Sequence, residues 1–303
     1  MSFPIIRLPY LVFKMVLESM GFIDLFILTR TSNKMKRYVK NYVKVRNYEM
    51  NVDFDTHFEL NFTSKRNEKQ VEVFVVETIE KYKSDDEPKC FPLKLGNVDG
   101  INSGFYDSKC GEVPILGTFW NDLTAGLKEF YNEIIEIFPD VPFKLLGIEH
   151  LEQYYGVIFQ WAAGFTVEKV EMTGEMVGLN HLTSLNASII SLHASTLSDQ
   201  DIQDFLLALS NNTSNTSLKA LDISFYRNAD CDFILEELDV IQEEVPTRQD
   251  GSGPFEWSLM LANGEFGTIT YEEYESDDPD RRCWGFEVQI ARGGFNLPTP
   301  INQ

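Results

Sequence analysis

The sequence predicts a mixed α+β chain. A helical segment opens it, and a longer region of strands and helices follows, whose middle alternates like an α/β repeat. Three observations carry this prediction. Residues 5–31 are apolar almost throughout, broken only by isolated charges. Beyond about residue 46, apolar and polar residues alternate with the period-two pattern of half-buried strands. From 143 to 224, short apolar runs recur every 20–30 residues or so, with helical stretches between them, as in a repeat without a strict period.

The first 46 residues predict three short helices. Pro9 suits a first helical turn, where its missing N–H costs nothing. Leu8, Val12, Val16 and Met20 recur at i+4, and Leu11, Met15 and Leu17 widen that stripe. Gly21 ends the run in the way glycine ends helices. Asp24 opens a second run, Leu25 to Arg30, with its charge favourably placed near a helix start. Ser32 is the expected N-cap of a third helix with Met35, Val39, Tyr42 and Val43 on its apolar face. With Met at position 35, the reciprocal capping box is absent. A helix apolar nearly all round must be covered on several sides. Three such helices in so few residues make a poor core alone, so a second protein is expected to cover them.

The ordered series Leu8-Pro9, Val12, Val16-Leu17, Met20, Asp24-Leu25, Leu28 and Thr31-Ser32 resembles the F-box pattern. The family's frequent Trp near the start of the last helix is replaced here by Met35. The resemblance covers residues 4 to about 44 and sits at the extreme N-terminus. It implies docking onto a Skp-type adaptor and, through it, onto a cullin and a RING protein in a ubiquitin ligase. The adaptor-binding residues it implies are Leu8, Pro9, Val12, Val16, Leu17, Met20, Leu25 and Leu28, as contacts or their immediate support. The competing expectation is a hairpin buried on the chain's own downstream domain.

Composition narrows the classes. A chain of 303 residues holds one large domain or a small module plus one of ordinary size. The expected division is residues 1–46 and 47–303. Cys90, Cys110, Cys231 and Cys283 are far apart and form neither a disulfide framework nor a zinc pattern. Charges interrupt the N-terminal apolar region, so no clean secretory signal is seen, and no run is long enough to span a bilayer. A cytoplasmic or nuclear location with reduced thiols is expected.

Net charge is −21, but it is uneven. Residues 1–50 carry nine of the Lys/Arg residues against Glu18, Asp24 and Glu49, so the acidic excess lies beyond them. A basic patch at 30–46 beside an apolar seam would speed docking onto an acidic adaptor. The acidic remainder argues against non-specific nucleic-acid binding, because phosphates would be repelled over most of the surface.

Tyr48–Phe54 and Phe58–Phe62 alternate as a hairpin about Asp55-Thr56, and Val71–Thr78 is a third strand. Residues 83–88 and the glycine-bearing stretch 96–112 are expected to be loops. Trp120–Phe138 has helical spacing, stopped by Pro139. In the repeat-like, leucine-rich-repeat-like core, strands are expected at Phe143–Ile148, Val167–Met172, Ser188–Leu192 and Leu218–Ile223. Helices are expected around 150–163, 175–183 and 199–210. The last of these has the clearest start, with Ser198 as cap and Asp199 and Asp201 in its first turn. Such a repeat displays an extended surface for a partner rather than one deep catalytic pocket.

Residues 188–224, from the strand through the Leu197-Ser198 start and the Phe205-Leu206 face to the closing Leu221–Ile223 strand, resemble the F-box-associated domain, type two, of a large nematode family. Gln203 and Leu209 stand where that family often has Asn and Trp. In the tail, a helix is expected at Asp232–Glu243, a break at Pro246–Pro254, and antiparallel strands near Trp257–Ala262, Gly267–Tyr271 and Cys283–Ala291. An acidic loop runs from Glu272 to Asp278, and Gly293–Gln303 lacks element signals.

No G-x-S-x-G, P-loop, dinucleotide fingerprint or H-E-x-x-H is present. His57, His150, His181 and His193 are isolated, and no spacing selects a carboxylate pair. The N-x-S/T sequons at Asn61, Asn186, Asn211, Asn212 and Asn215 read as coincidental without a secretory signal. No cofactor is expected. The F-box resemblance implies a non-catalytic substrate-recruiting subunit of a Skp–cullin–F-box ligase, holding an unknown target through 47–303. The alternatives are an interaction scaffold that assembles no ligase and an enzyme with an unrecognised acidic site.

Overall fold

Pro9 and Met20 cap the first helix, α1 (Tyr10–Ser19), in the computed structural model of the chain. The structure describes residues 7–43, 45, 47–54, 57–66, 70–78, 90–95, 98–107, 114–149, 155–164, 166–173, 177–193, 195–211, 213, 217–242, 255–275 and 282–291. The expected hairpin turn at Asp55-Thr56, the loop 83–88, His150, the break at 246–254, residues 276–278 of the acidic loop and Gly293–Gln303 lie outside them. So do Cys110, the side chain of Cys90, and the sequon asparagines Asn212 and Asn215.

Contacts divide the chain into two units, Met1–Lys144 and Leu145–Gln303. The first contains α1, α2 (Phe22–Thr31) and α3 (Asn33–Tyr42). Strands β1 (Tyr48–Phe54), β2 (Phe58–Ser64), β3 (Gln70–Thr78), β4 (Cys90–Leu95), β5 (Val98–Asp107) and β6 (Pro114–Trp120) follow, then helix α4 (Leu123–Ile137). The strand order is β1-β2-β3-β6-β5-β4. Only the β3–β6 pairing is parallel within this set, which the long β3-to-β6 connection allows. The register puts Val52, Leu60, Phe74 and Leu116 in one buried row across four strands. Asp122 caps α4, its carboxylate accepting from the Thr124 and Ala125 N–H groups. The three-helix segment ends near residue 43, and the unit it belongs to continues to Lys144.

In the second unit, β7 (Phe143–Ile148), β8 (Val167–Thr173), β9 (Ala187–His193) and β10 (Ala220–Phe225) run parallel in sequential order. Helices α5 (Tyr155–Ala162), α6 (Leu179–Ser184) and α7 (Asp199–Ser210) occupy the three connections. After α8 (Cys231–Leu235), strands β11 (Val240–Gln242), β12 (Phe255–Met260), β13 (Phe266–Glu275) and β14 (Arg282–Ala291) extend the sheet antiparallel, β14 lying against β10. Two apolar rows cross this sheet. One is Leu146-Val170-Ile190-Leu221-Val288-Ile269-Trp257, and the other is Ile148-Met172-Leu192-Ile223-Phe286-Tyr271-Phe255. All but the last residue of the second row are buried.

The predicted strands at 48–54, 58–62, 71–78 and through the repeat-like core all form, as does α7 with its Ser198/Asp201 capping box. Two expectations are corrected. Much of the stretch read as loop at 96–112 is β5, where Gly104 pairs with Gly117 across to β6. These glycines sit in paired strands instead of marking a loop, and of the described glycines in 96–112 Gly100 takes a positive φ (76°). The helix expected over Asp232–Glu243 stops at Leu235, and Val240–Gln242 pairs with β12 instead.

Candidate functional site

The three N-terminal helices present two apolar surfaces of opposite fate. Their inner surface is covered by the chain itself. Phe22 stacks on Phe62 at 4.0 Å between ring centroids and meets Phe138 edge-on at 5.2 Å. Phe26 meets Phe74 and Phe130, each at 5.4 Å. All six rings are buried. Leu17 and Phe13 of α1, Leu25 of α2 and Met35 and Val39 of α3 complete this inner side.

Polar groups fix the same junction. Glu72 of β3 is buried, and its Oε2 accepts the Ile23 N–H at 2.6 Å, satisfying a donor that a helix start leaves without a partner. Burial pushes its carboxyl above the ordinary carboxylate value. The Ile23 N–H bond pulls the other way, and Asp24 adds to the rise. A Cβ on Gly21 would sit 1.9 Å from Glu72 Oε1. Gly21 has φ −70°, so it is needed for space rather than for the left-handed turn its position suggested. Across the junction, Glu133 of α4 takes Arg30 Nη2 at 2.8 Å and Lys36 Nζ at 2.9 Å, and Lys36 also reaches Glu136 at 2.7 Å. Burial opposes ionisation of Glu133, but the two cations outweigh it and hold the carboxyl below its ordinary value.

The outer surface of α1 is uncovered. Leu11 is 70% exposed, Met15 68%, Tyr10 57% and Val12 44%. With half-buried Leu8, residues 8, 11, 12 and 15 follow i, i+3, i+4, i+7 and form one stripe toward solvent. Contiguous exposed apolar area of this kind marks an interaction site. Beside it, Tyr10 and Tyr42 meet edge-on at 5.4 Å, and Tyr38 and Tyr42 stack at 5.7 Å. Lys34, Arg37 and Lys40 of α3 are exposed. Arg30 and Lys36 of the basic segment are engaged by Glu133, and Lys44 and Arg46 lie outside the described residues.

The eight residues singled out from the sequence divide accordingly. Pro9 and Val12 are exposed, and Leu8, Val16, Met20 and Leu28 are half-buried. Leu17 and Leu25 are buried, at 0% and 2% exposure, and support the surface from beneath. The most exposed apolar residues, Leu11, Met15 and Tyr10, were absent from that group. Leu11 and Met15 lie on the apolar stripe that the sequence predicts for the helix, but the F-box pattern does not select them.

Among the described residues, no group of three His, Cys, Asp or Glu side chains could hold a metal ion. His181 takes the Gly178 N–H on Nδ1 and stacks on Phe159, and His57 sits 3.3 Å from Glu59. No helix among the described residues is long and apolar enough to cross a membrane.

Residues 5–46 match the F-box domain family. No curated protein and no solved structure matches the chain. F-box domains generally bind Skp-type adaptors, and proteins that carry them are generally adaptor components of ubiquitin ligases rather than enzymes. The chain thus carries an N-terminal three-helix F-box domain, followed by a strand-rich region.

Proposed function

We propose that this chain is the target-recruiting subunit of a Skp–cullin–F-box ubiquitin ligase in the cytoplasm or nucleus. Residues 1–46 hold the Skp-type adaptor and, through it, the cullin and RING protein, while residues 47–303 hold a target. The observation that carries this reading is the uncovered stripe Leu8, Leu11, Val12 and Met15 on a segment that matches the F-box family. The chain does no chemistry in this role. It raises the rate of ubiquitin transfer by holding the target near the charged ubiquitin carrier. The exposed Lys34, Arg37 and Lys40 beside the stripe speed encounter with an acidic adaptor, in a salt-dependent way.

The parallel run from β7 to β10, with a helix in each connection, supports a leucine-rich-repeat-like reading of residues 143–224. The order β9, α7, β10 supports likeness to the type-two F-box-associated domain within 188–224.

The test is co-expression of the full chain with a Skp-type adaptor, followed by size-exclusion chromatography. A stoichiometric complex that also captures cullin is expected. A complex with adaptor but never with cullin would favour the scaffold reading, and an adaptor-free, soluble chain would overturn the proposal. Leu17→Asp is a poor probe here because that side chain is fully buried, so it would break the fold along with the interface. The paired change Leu11→Asp/Met15→Asp addresses the outer surface alone. Each apolar side chain buried at an interface is worth about 1.5–3 kcal/mol, so loss of both should weaken binding by ~100-fold or more.

A further inference from the structure

In the second unit, the apolar row that crosses the sheet ends in a cavity of about 600 Å³ at one end of β12, β13 and β14. Four aromatic side chains line it. Phe255 lies opposite Tyr271 in the ladder, and Trp257 and Trp284 stand two residues along the same face from them and from Phe286. The rings are arranged as walls. Trp284 lies parallel to Tyr271 at 5.4 Å and 11°, and Phe255 lies near-parallel to Trp257 at 6.1 Å and 20°. Tyr271 is locked in place, since its hydroxyl donates to Asn228 Oδ1 at 2.6 Å and accepts the Ala229 N–H at 2.9 Å. Those two bonds also pin the segment that leads into α8 against the sheet.

That segment brings carboxylates to the same cavity. Asp230 and Asp232 of this segment line it together with Asp199 of α7, and among the described residues no Lys or Arg does. Arg227 pairs with Asp199 at 2.7 Å, which leaves Asp230 and Asp232 as the carboxylates available to a ligand. Asp230 caps α8 through the Phe233 N–H at 3.1 Å, a bond that leaves its charge in place. The negative potential is felt by the cavity's own groups. The Cys231 thiol is pushed up to about 12, first by burial and then by Asp199, Asp232 and Asp230. It is consequently protonated and unreactive at neutral pH.

Aromatic faces carry negative quadrupole potential, and a cation over them is attracted. Carboxylates at the rim add Coulombic attraction for the same sign of charge. An anionic ligand would meet both effects as repulsion, and a purely apolar one would leave the aspartates without use.

We propose that this cavity binds a cationic side chain, the ammonium of a lysine or the guanidinium of an arginine, presented by a protein segment. The volume accommodates the side chain with its flanking backbone. The cation sits against Trp284 and Phe255, the two rings of the four that solvent reaches most, with Trp257 and Tyr271 beneath them and Asp230 and Asp232 at the mouth. The inference deepens the target-holding role proposed above and rests on it only for the bearer being a protein. The cation preference stands on the cavity alone.

The experiment titrates the full chain with N-acetyl-lysine methylamide, its trimethylated form and N-acetyl-arginine methylamide, with N-acetyl-norleucine methylamide as neutral control. The readout is the indole N–H NMR signals of Trp257 and Trp284, assigned with single Trp→Phe variants. The expected result is a saturable shift with at least one cationic probe and at least tenfold weaker binding of norleucine. Asp230→Asn/Asp232→Asn and, separately, Phe255→Ala should each reduce the affinity several-fold. Asn retains the cap at 230 and Phe255 is exposed, so both variants are expected to fold, which an unfolding midpoint and far-UV circular dichroism spectrum like those of the parent would verify. Equal binding of norleucine, absence of any saturable shift, or unchanged affinity in the double Asp variant would overturn the proposal. Adaptor capture is read on the opposite end of the sequence, so a failure of that assay and a failure of this one are separate events.

Discussion

The two sides of helix α1 have nearly the same composition and opposite roles. Phe13 and Leu17 face inward and are buried, while Leu11 and Met15, equally apolar, face water. The difference lies in what the remaining chain supplies. Aromatic rings of β2, β3 and α4 reach the inner side of the three-helix segment, and nothing among the described residues of the chain covers the outer stripe. Apolarity alone therefore did not decide which residues the fold buries and which it leaves in water. Burial by named neighbours did. The expectation of a helix buried at home holds for the inner side, and the outer side is left exposed to water.

The comparison breaks most visibly if the inner side can be emptied without cost. Phe26→Ala removes a ring packed against Phe74 and Phe130, and should destabilise the protein by about 3–5 kcal/mol in denaturant unfolding. Deleting residues 1–46 should go further. It uncovers Phe62, Phe74, Phe130 and Phe138 together, so residues 47–303 should aggregate or lose their cooperative unfolding transition. A well-folded truncated chain would show that the inner contacts are dispensable. Gly21→Ala is next in size. The added methyl collides with the Glu72 carboxylate, and about 1–3 kcal/mol should be lost, visible as a lowered unfolding midpoint.

Two buried carboxylates on this inner side should respond to pH with opposite signs. Glu133 titrates below its ordinary value of 4.5, so its contribution is complete above that value and is lost as pH falls through its lowered pKa. Glu72 titrates above 4.5, so its contribution is greatest below that value and is lost as pH rises through its raised pKa. Stability-versus-pH curves of Glu133→Gln and Glu72→Gln should therefore differ from the parent curve in opposite directions. Parallel changes in the two variants would contradict this account of the junction. The smallest expected effect lies in the second unit. Asp222 of β10 sits directly opposite Glu287 of β14, and burial, with that like charge behind it, raises its carboxyl pKa. Asp222→Asn should raise stability at neutral pH by a few tenths to about 1 kcal/mol.

Much of the fold was legible because the periods were clean. The alternation over Tyr48–Phe54, the Ser198 cap and the apolar run at Phe143–Ile148 each determine an element from nearby residues alone. The misses came where a local signal had a non-local cause. The glycines of 96–112 suggested loops, but Gly104 and Gly117 face each other across paired strands. Gly21 suggested a left-handed helix end, but it makes room for a carboxylate from β3, 51 positions along the chain at residue 72. The basic run at 30–46 suggested one uniform surface, yet Arg30 and Lys36 are drawn inward by Glu133. For the site, the F-box pattern located the helix but not its outward side. Leu17 and Leu25 of the pattern are buried, while Leu11 and Met15 face water.

The central claim is that the outer stripe of α1 is an adaptor-docking surface independent of the inner packing. Its most direct test is adaptor capture by the full chain and by Leu11→Asp/Met15→Asp, with the thermal unfolding midpoint of each measured alongside. The account predicts a stoichiometric complex for the parent chain and, for the variant, lost capture with an unfolding midpoint within a degree or two of the parent, as surface changes give. Capture undiminished in a folded variant, or a midpoint that collapses together with capture, would contradict it.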